Sequence, residues 1–192
     1  MNGERNPSVI DRALRLFADV RAGEGVNVVI LALNVFILLT AYSMMKPLRS
    51  GLILVERGPE FTAYMSAAMA FILIPVIAGY GKLADRFPRR RLINVVTLFF
   101  AACCAVFFLA GTAGAQIGIA FFVWIGIFSV MIIAQFWGFA NDLDTNEEGE
   151  RLFPIVAIGA ASGAIAGSAV VGRLIEPFGL YLPMLFAGAL LV

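Results

Sequence analysis

Polar and apolar positions in this chain fall into long blocks, not into the short alternations of a water-soluble fold. Five apolar stretches reach or approach the length of a bilayer crossing: Val26–Met45, Phe61–Tyr80, Leu92–Gly111, Gln116–Ala140 and Leu152–Gly172. A sixth begins at Pro177 and runs to Val192. A spanning helix needs about 20 mostly apolar residues. The pattern therefore predicts an all-α polytopic transmembrane bundle with about six spans. The polar connections cover 56–60, 81–91, 112–115, 141–151 and 173–176. They leave no room for an extramembrane domain, and such short links join antiparallel neighbours. The chain divides into a polar segment, 1–25, and a membrane half-domain, 26–192.

Within the polar segment, "SVIDRALRLFADV" (8–20) reads as an amphipathic helix. Val9, Ile10, Ala13, Leu14, Phe17 and Val20 share one face, Arg12 and Arg15 the other. Ser8 with Asp11 three residues later resembles an N-cap. Two placements follow for this helix: flat on the inner leaflet, or packed on the cytoplasmic loops. No apolar signal-type region precedes Val26.

Composition sharpens the membrane reading. Hydrophobic residues make up 61% and charged residues 14%, against roughly 45–50% and 25% in soluble domains. With the N-terminus in the cytoplasm, ten Lys and Arg fall on inside segments (Arg5, Arg12, Arg15, Arg21, Lys82, Arg86, Arg89, Arg90, Arg91, Arg151). Only Arg57 and Arg173 fall outside. That asymmetry predicts a multi-pass protein of the cell inner (plasma) membrane with a cytoplasmic N-terminus.

Catalytic material is scarce. The chain has no His, and its acids concentrate in the connections, five of them in "NDLDTNEEGER" (141–151). No nucleophile–base pair or metal cluster emerges, so no enzyme activity, metal or cofactor is expected. Cys103 and Cys104 are sequence neighbours that point about 100° apart on a helix and read as small apolar residues. In-span serines such as Ser66, Ser129, Ser162 and Ser168 read as helix-backbone hydrogen-bonders. Gly159, Gly163 and Gly167 recur every four residues and predict a helix-packing face.

The unusual charges are Lys46 and Arg49, in "AYSMMKPLRSGLIL". In one reading the first helix ends near Met45 and the two cations snorkel to headgroups. In the other the helix continues through Pro47 to Val55, and both cations share a face. A cation in lipid costs about 2.5–3.5 kcal/mol, so that face should line a polar cavity. Two cations in a cavity suit an anion, above all a phosphate. Tyr42, one turn earlier, and Gln135 and Asn141 in the fourth span are further candidate binding residues.

"GKLADRFPRRRL" (81–92) joins spans two and three at the inside face, with a helix ending at Gly81 and a tight charged loop after it. The order Gly81, Leu83, Ala84, Asp85, Arg86, Arg89, Arg90 resembles the signature between helices two and three of the major facilitator superfamily. Pro88 stands where that family usually has Gly. The resemblance implies that Asp85 and Arg86 join a charge network stabilising an outward-facing state. "AYSMMKPLRSGLIL" and "AQFWGFANDLDTNEEGERLFPIVAIGAASGAIAGS" resemble the branch of ATP/ADP translocase-like nucleotide transporters. Together these imply the N-terminal six-helix half of a secondary transporter that moves a small anionic solute by alternating access. The expected partners are that solute, the bilayer and a second six-helix half, from the same gene, a second copy or another chain; nucleic acid is not among them. The end at "AGALLV" fits a fragment of a twelve-span protein. The alternative is a membrane assembly protein whose Lys46 and Arg49 pair with acids of another subunit.

Overall fold

In lipid, backbone polar groups must be paired within the segment, which drives long apolar blocks into helices. The computed structural model describes residues 9–143 and 146–192, and the side chains of all of these except residues 89, 90, 141–143 and 146. Among the described residues the chain is all-helical: α1 (Val9–Leu14), α2 (Gly25–Arg57), α3 (Pro59–Arg86), α4 (Arg89–Thr112), α5 (Gly118–Leu143), α6 (Asn146–Phe178) and α7 (Leu182–Leu190). Helices α2 to α6 are long and apolar enough to cross a membrane.

Three expectations change. The sixth block does not form one helix: Pro177 and Phe178 complete α6, Gly179 turns the chain at φ 71°, and α7 starts only at Leu182. Its nine residues span about 14 Å, so five helices, not six, have crossing length among the described residues. The helix before the 81–92 motif does not stop at Gly81. It continues to Arg86, and only Phe87 and Pro88 separate α3 from α4. The N-terminal helix covers 9–14, not 8–20 (Ser8 lies outside the described residues), and turns replace its second half. The Asp11 carboxylate turns inward and accepts the backbone N–H of Gly25 (2.9 Å) and Gly23 (3.2 Å), fixing the segment against α2. It thereby pairs orphan donors at the start of α2.

Helix α2 is the centre of the bundle and packs on α3, α5, α6 and α7. It continues unbroken through Pro47, giving 33 residues and a length of about 50 Å. The next helix reverses direction after a single residue, Gly58, whose φ of 84° suits glycine. The closest pairing is α2 with α6. A Cβ on Gly159 would sit 2.5 Å from the Ala32 carbonyl oxygen, one on Gly163 2.9 Å from Phe36 Cα, and one on Gly167 3.0 Å from Thr40 C. Each glycine thus faces backbone, four residues further along each helix, so α2 and α6 run parallel in direct main-chain contact. The Thr40 hydroxyl donates across this seam to the Gly163 carbonyl at 3.1 Å. On the other side, Phe100, Phe107, Phe121, Trp124 and Phe128 knit α4 to α5 with ring centroids 4.9–5.5 Å apart.

Charged groups hold the ends. Where α2 and α6 begin, Arg151 donates to Glu24 at 2.8 Å and also to the Asp19 carbonyl. Burial pushes the Glu24 carboxyl up, but hydrogen bonds from Arg151 and the Arg21 backbone N–H, with the Arg151 charge, outweigh it and hold the group below its ordinary range. At the opposite end Glu56 accepts the Gly118 N–H on both carboxylate oxygens, at 2.9 and 3.0 Å, and caps α5.

Candidate functional site

Because α2 does not end at Met45, its two cations lie inside the span. The midpoint of α2 falls at Ala41. Lys46 lies about 16 Å, and Arg49 about 12 Å, along the axis from Arg57 at 1.5 Å per residue. Both therefore lie in the second half of α2, well before its end at Arg57.

Three residues apart, the two side chains diverge. Lys46 is exposed and lines a cavity of about 410 Å³ between α2 and α6, with Ser43, Ser168 and Ile175. Its Nζ lies 5.7 Å from the centre of the Tyr42 ring, within cation–π range. The Tyr42 ring in turn leans on Phe128 of α5. Arg49 is half-buried and points the other way. Its guanidinium covers the buried Phe122 ring of α5 at 4.6 Å. The buried Arg49 Nε has no hydrogen-bond partner among the described residues. A buried unpaired donor costs about 1–3 kcal/mol, so Arg49 holds an unspent hydrogen bond inside the bundle.

Gln135 does not join Lys46. It lines a separate cavity of about 650 Å³, with Asn34 of α2 and Asn94 and Thr97 of α4, nearer the end where α2 begins. It also borders a third cavity, about 290 Å³, with Tyr80 and Phe87. Gln135 is 8% exposed, and its Nε2 has no hydrogen-bond partner among the described residues. Asn34, Asn94 and Thr97 escaped the sequence reading. Their signal was available: each is a polar residue within an otherwise apolar span. Asn141 lies in the last turn of α5, and its side chain falls outside the described residues.

The charged motif between α3 and α4 divides between two helix ends. Gly81 sits inside α3 with open space around its α-carbon. Asp85 and Arg86 are exposed on the last turn of α3. Arg89 and Arg90 open α4, and their side chains fall outside the described residues. Cys104 is buried with its Sγ 3.9 Å from Met45 Sδ, and Cys103 is half-buried; both are free thiols.

Compared with known protein families, curated proteins and solved structures, the chain matches none of them.

Proposed function

We propose that this chain is the N-terminal half of a major facilitator-type secondary transporter in the plasma membrane, with its N-terminus in the cytoplasm. It moves a small anionic solute, phosphorylated or nucleotide-like, by alternating access against a second six-helix half. The observation that carries the reading is the placement of Lys46 and Arg49 inside the unbroken helix α2. A lysine opens on a cavity within the span, and an arginine with an unpaired donor lies one turn further along α2. Cations within a span are retained where something anionic compensates them. Lys46 supplies a compact charge and Arg49 a planar fork, the combination that suits phosphate oxygens. For a solute to meet both, Arg49 must leave Phe122 and swing toward the Lys46 cavity, a side-chain movement that loading would drive.

A second reading draws on one observation: Arg49 is seated on Phe122 and does not open on the Lys46 cavity. In that reading the chain is an assembly or partner-binding protein, and the cations pair with acids of another subunit. Proteoliposomes containing the full gene product separate the two. Uptake of labelled phosphorylated solute by vesicles preloaded with the unlabelled compound, abolished by Lys46→Ala, supports transport. Absence of uptake for phosphate, sugar phosphates and nucleotides alike, with co-purification of a second protein that Lys46→Ala releases, supports pairing.

A further inference from the structure

The segment between Val9 and Arg21 carries an apolar patch that the bundle does not cover. Val9 is 83% exposed, Leu16 84% and Phe17 59%. The same segment is not free to drift. Asp11 is fully buried against the start of α2, Val20 is buried in the core, and the Asp19 carbonyl is held by Arg151 of α6. The apolar patch is therefore fixed beside Gly25. From there the lipid-facing side of α2 begins at once, with Val26, Val29, Ile30 and Leu33 all exposed. This places the patch at the edge of the hydrocarbon band. Large apolar side chains held there gain by dipping into the interface. Charge completes the picture. Arg12 and Arg15 are exposed on this segment, against a single exposed acid, Asp19; Asp11 is buried under backbone N–H groups, Glu24 is taken by Arg151, and Arg21 pairs with Glu147 of α6 at 3.5 Å.

We infer that residues 9–21 form an interfacial anchor: Val9, Leu16 and Phe17 enter the leaflet on the side where α2 begins, and Arg12 and Arg15 select anionic lipid headgroups. The occupant of this surface is the bilayer itself. The inference is independent of what the bundle transports. Because Arg151 grips the end of the anchor, lipid engagement also steadies the start of α6.

The test uses the full chain in nanodiscs of phosphatidylcholine, alone or in equimolar mixture with phosphatidylglycerol. Trypsin cleaves the wild type after Arg12 and Arg15 only when the anchor lifts. At about fivefold per arginine near an anionic surface, cleavage at the pair slows about thirtyfold in the mixed discs. A spin label at Leu16→Cys, in a Cys103→Ala, Cys104→Ala background, reads insertion directly. It is expected to be open to oxygen, closed to a nickel chelate and about 5–10 Å below the headgroup boundary. A label at Asp19→Cys shows the reverse. Arg12→Glu with Arg15→Glu removes the protection at position 16 in mixed discs. Arg12→Glu alone gives about half that loss and leaves intact the bond from Arg15 Nε to the Val20 carbonyl. The proposal is overturned if position 16 is as open to nickel as position 19, or if wild-type cleavage is the same in both disc types and the accessibility of position 16 in mixed discs is unchanged in the charge variants.

Discussion

The parallel contact between α2 and α6 makes a sharp prediction for Gly163→Ala. The added methyl would lie 2.9 Å from Phe36 Cα and 3.0 Å from Phe36 C, and closer still to the carbonyl oxygen. These are backbone atoms, so no side chain can turn away. Reaching ordinary contact, 3.4 Å or more, separates the helices by at least about half an ångström. A gap of 0.5–1 Å forfeits a quarter to a half of each dispersion contact along the seam. Overpacking of this kind costs about 1–3 kcal/mol. The hydrogen bond from Thr40 to the Gly163 carbonyl stretches as well, at about 0.6 kcal/mol. Alanine returns up to about 1 kcal/mol of helix propensity, leaving a net loss of about 1–3 kcal/mol. Gly172, on the same helix, has nothing within 4 Å of the position a Cβ would take, so Gly172→Ala keeps the propensity gain and loses nothing. At roughly 2–4 °C per kcal/mol, thermal unfolding in nanodiscs should separate the two variants by about 5–15 °C, Gly163→Ala below wild type and Gly172→Ala level with it or above. Equal midpoints would refute the backbone-contact argument.

Three further outcomes follow from particular contacts. Glu24 has a lowered carboxyl pKa, so its pairing stabilises the fold above the ordinary carboxylate range, and that contribution is lost as pH falls through the folded-state value; wild type should lose more stability than Arg151→Ala between neutral and acid pH, read as melting midpoints. Asp11→Ala leaves the Gly23 and Gly25 N–H groups uncapped, costing about 1–2 kcal/mol and speeding hydrogen exchange in the first turn of α2, whereas Asp11→Asn, whose amide has a single acceptor oxygen, keeps one of the two bonds and falls between wild type and Asp11→Ala. Arg49→Met preserves the apolar contact with Phe122 and removes the unpaired Nε, so the ligand-free protein should melt a few degrees higher; a lower midpoint would mean that the guanidinium is already satisfied.

Block length and charge carried the long helices into view, because in lipid a long apolar run has one backbone solution. What remained out of sight was set by contacts between distant residues. Asp11 looks like part of its own helix until it is seen to serve Gly25, fourteen residues on. Glycine and proline misled at the helix ends. Gly81 reads as a stop, yet α3 continues through it with nothing near where a Cβ would lie, and Pro177 reads as a start although it lies in the last turn of α6. The run through Pro47 was open to two readings, and tertiary packing decided it: Met44, Met45, Leu48 and Leu52 are all buried on both sides of the proline. The Gly159, Gly163, Gly167 spacing is visible in the sequence, but its counterparts Ala32, Phe36 and Thr40 carry no mark that a local pattern would catch. At the candidate site, residue type revealed the cations but not their divergence. In the fold Arg49 lies over Phe122 of α5, whereas Lys46 opens on the cavity beside α6 with its Nζ near the Tyr42 ring.

The central claim is that Lys46 and Arg49 hold an anionic group of a solute inside the bundle. Ligand-dependent melting of the purified full-length gene product tests it most directly, with phosphate, sugar phosphates, nucleotides and neutral solutes each run against wild type, Lys46→Ala and Arg49→Ala. A ligand at about 100 times its Kd adds about 2.7 kcal/mol, a rise of roughly 5–10 °C. The proposed site should give that rise for a phosphorylated compound in wild type and lose it in both variants. An equal rise in all three proteins would contradict it and leave the two cations without a role in binding.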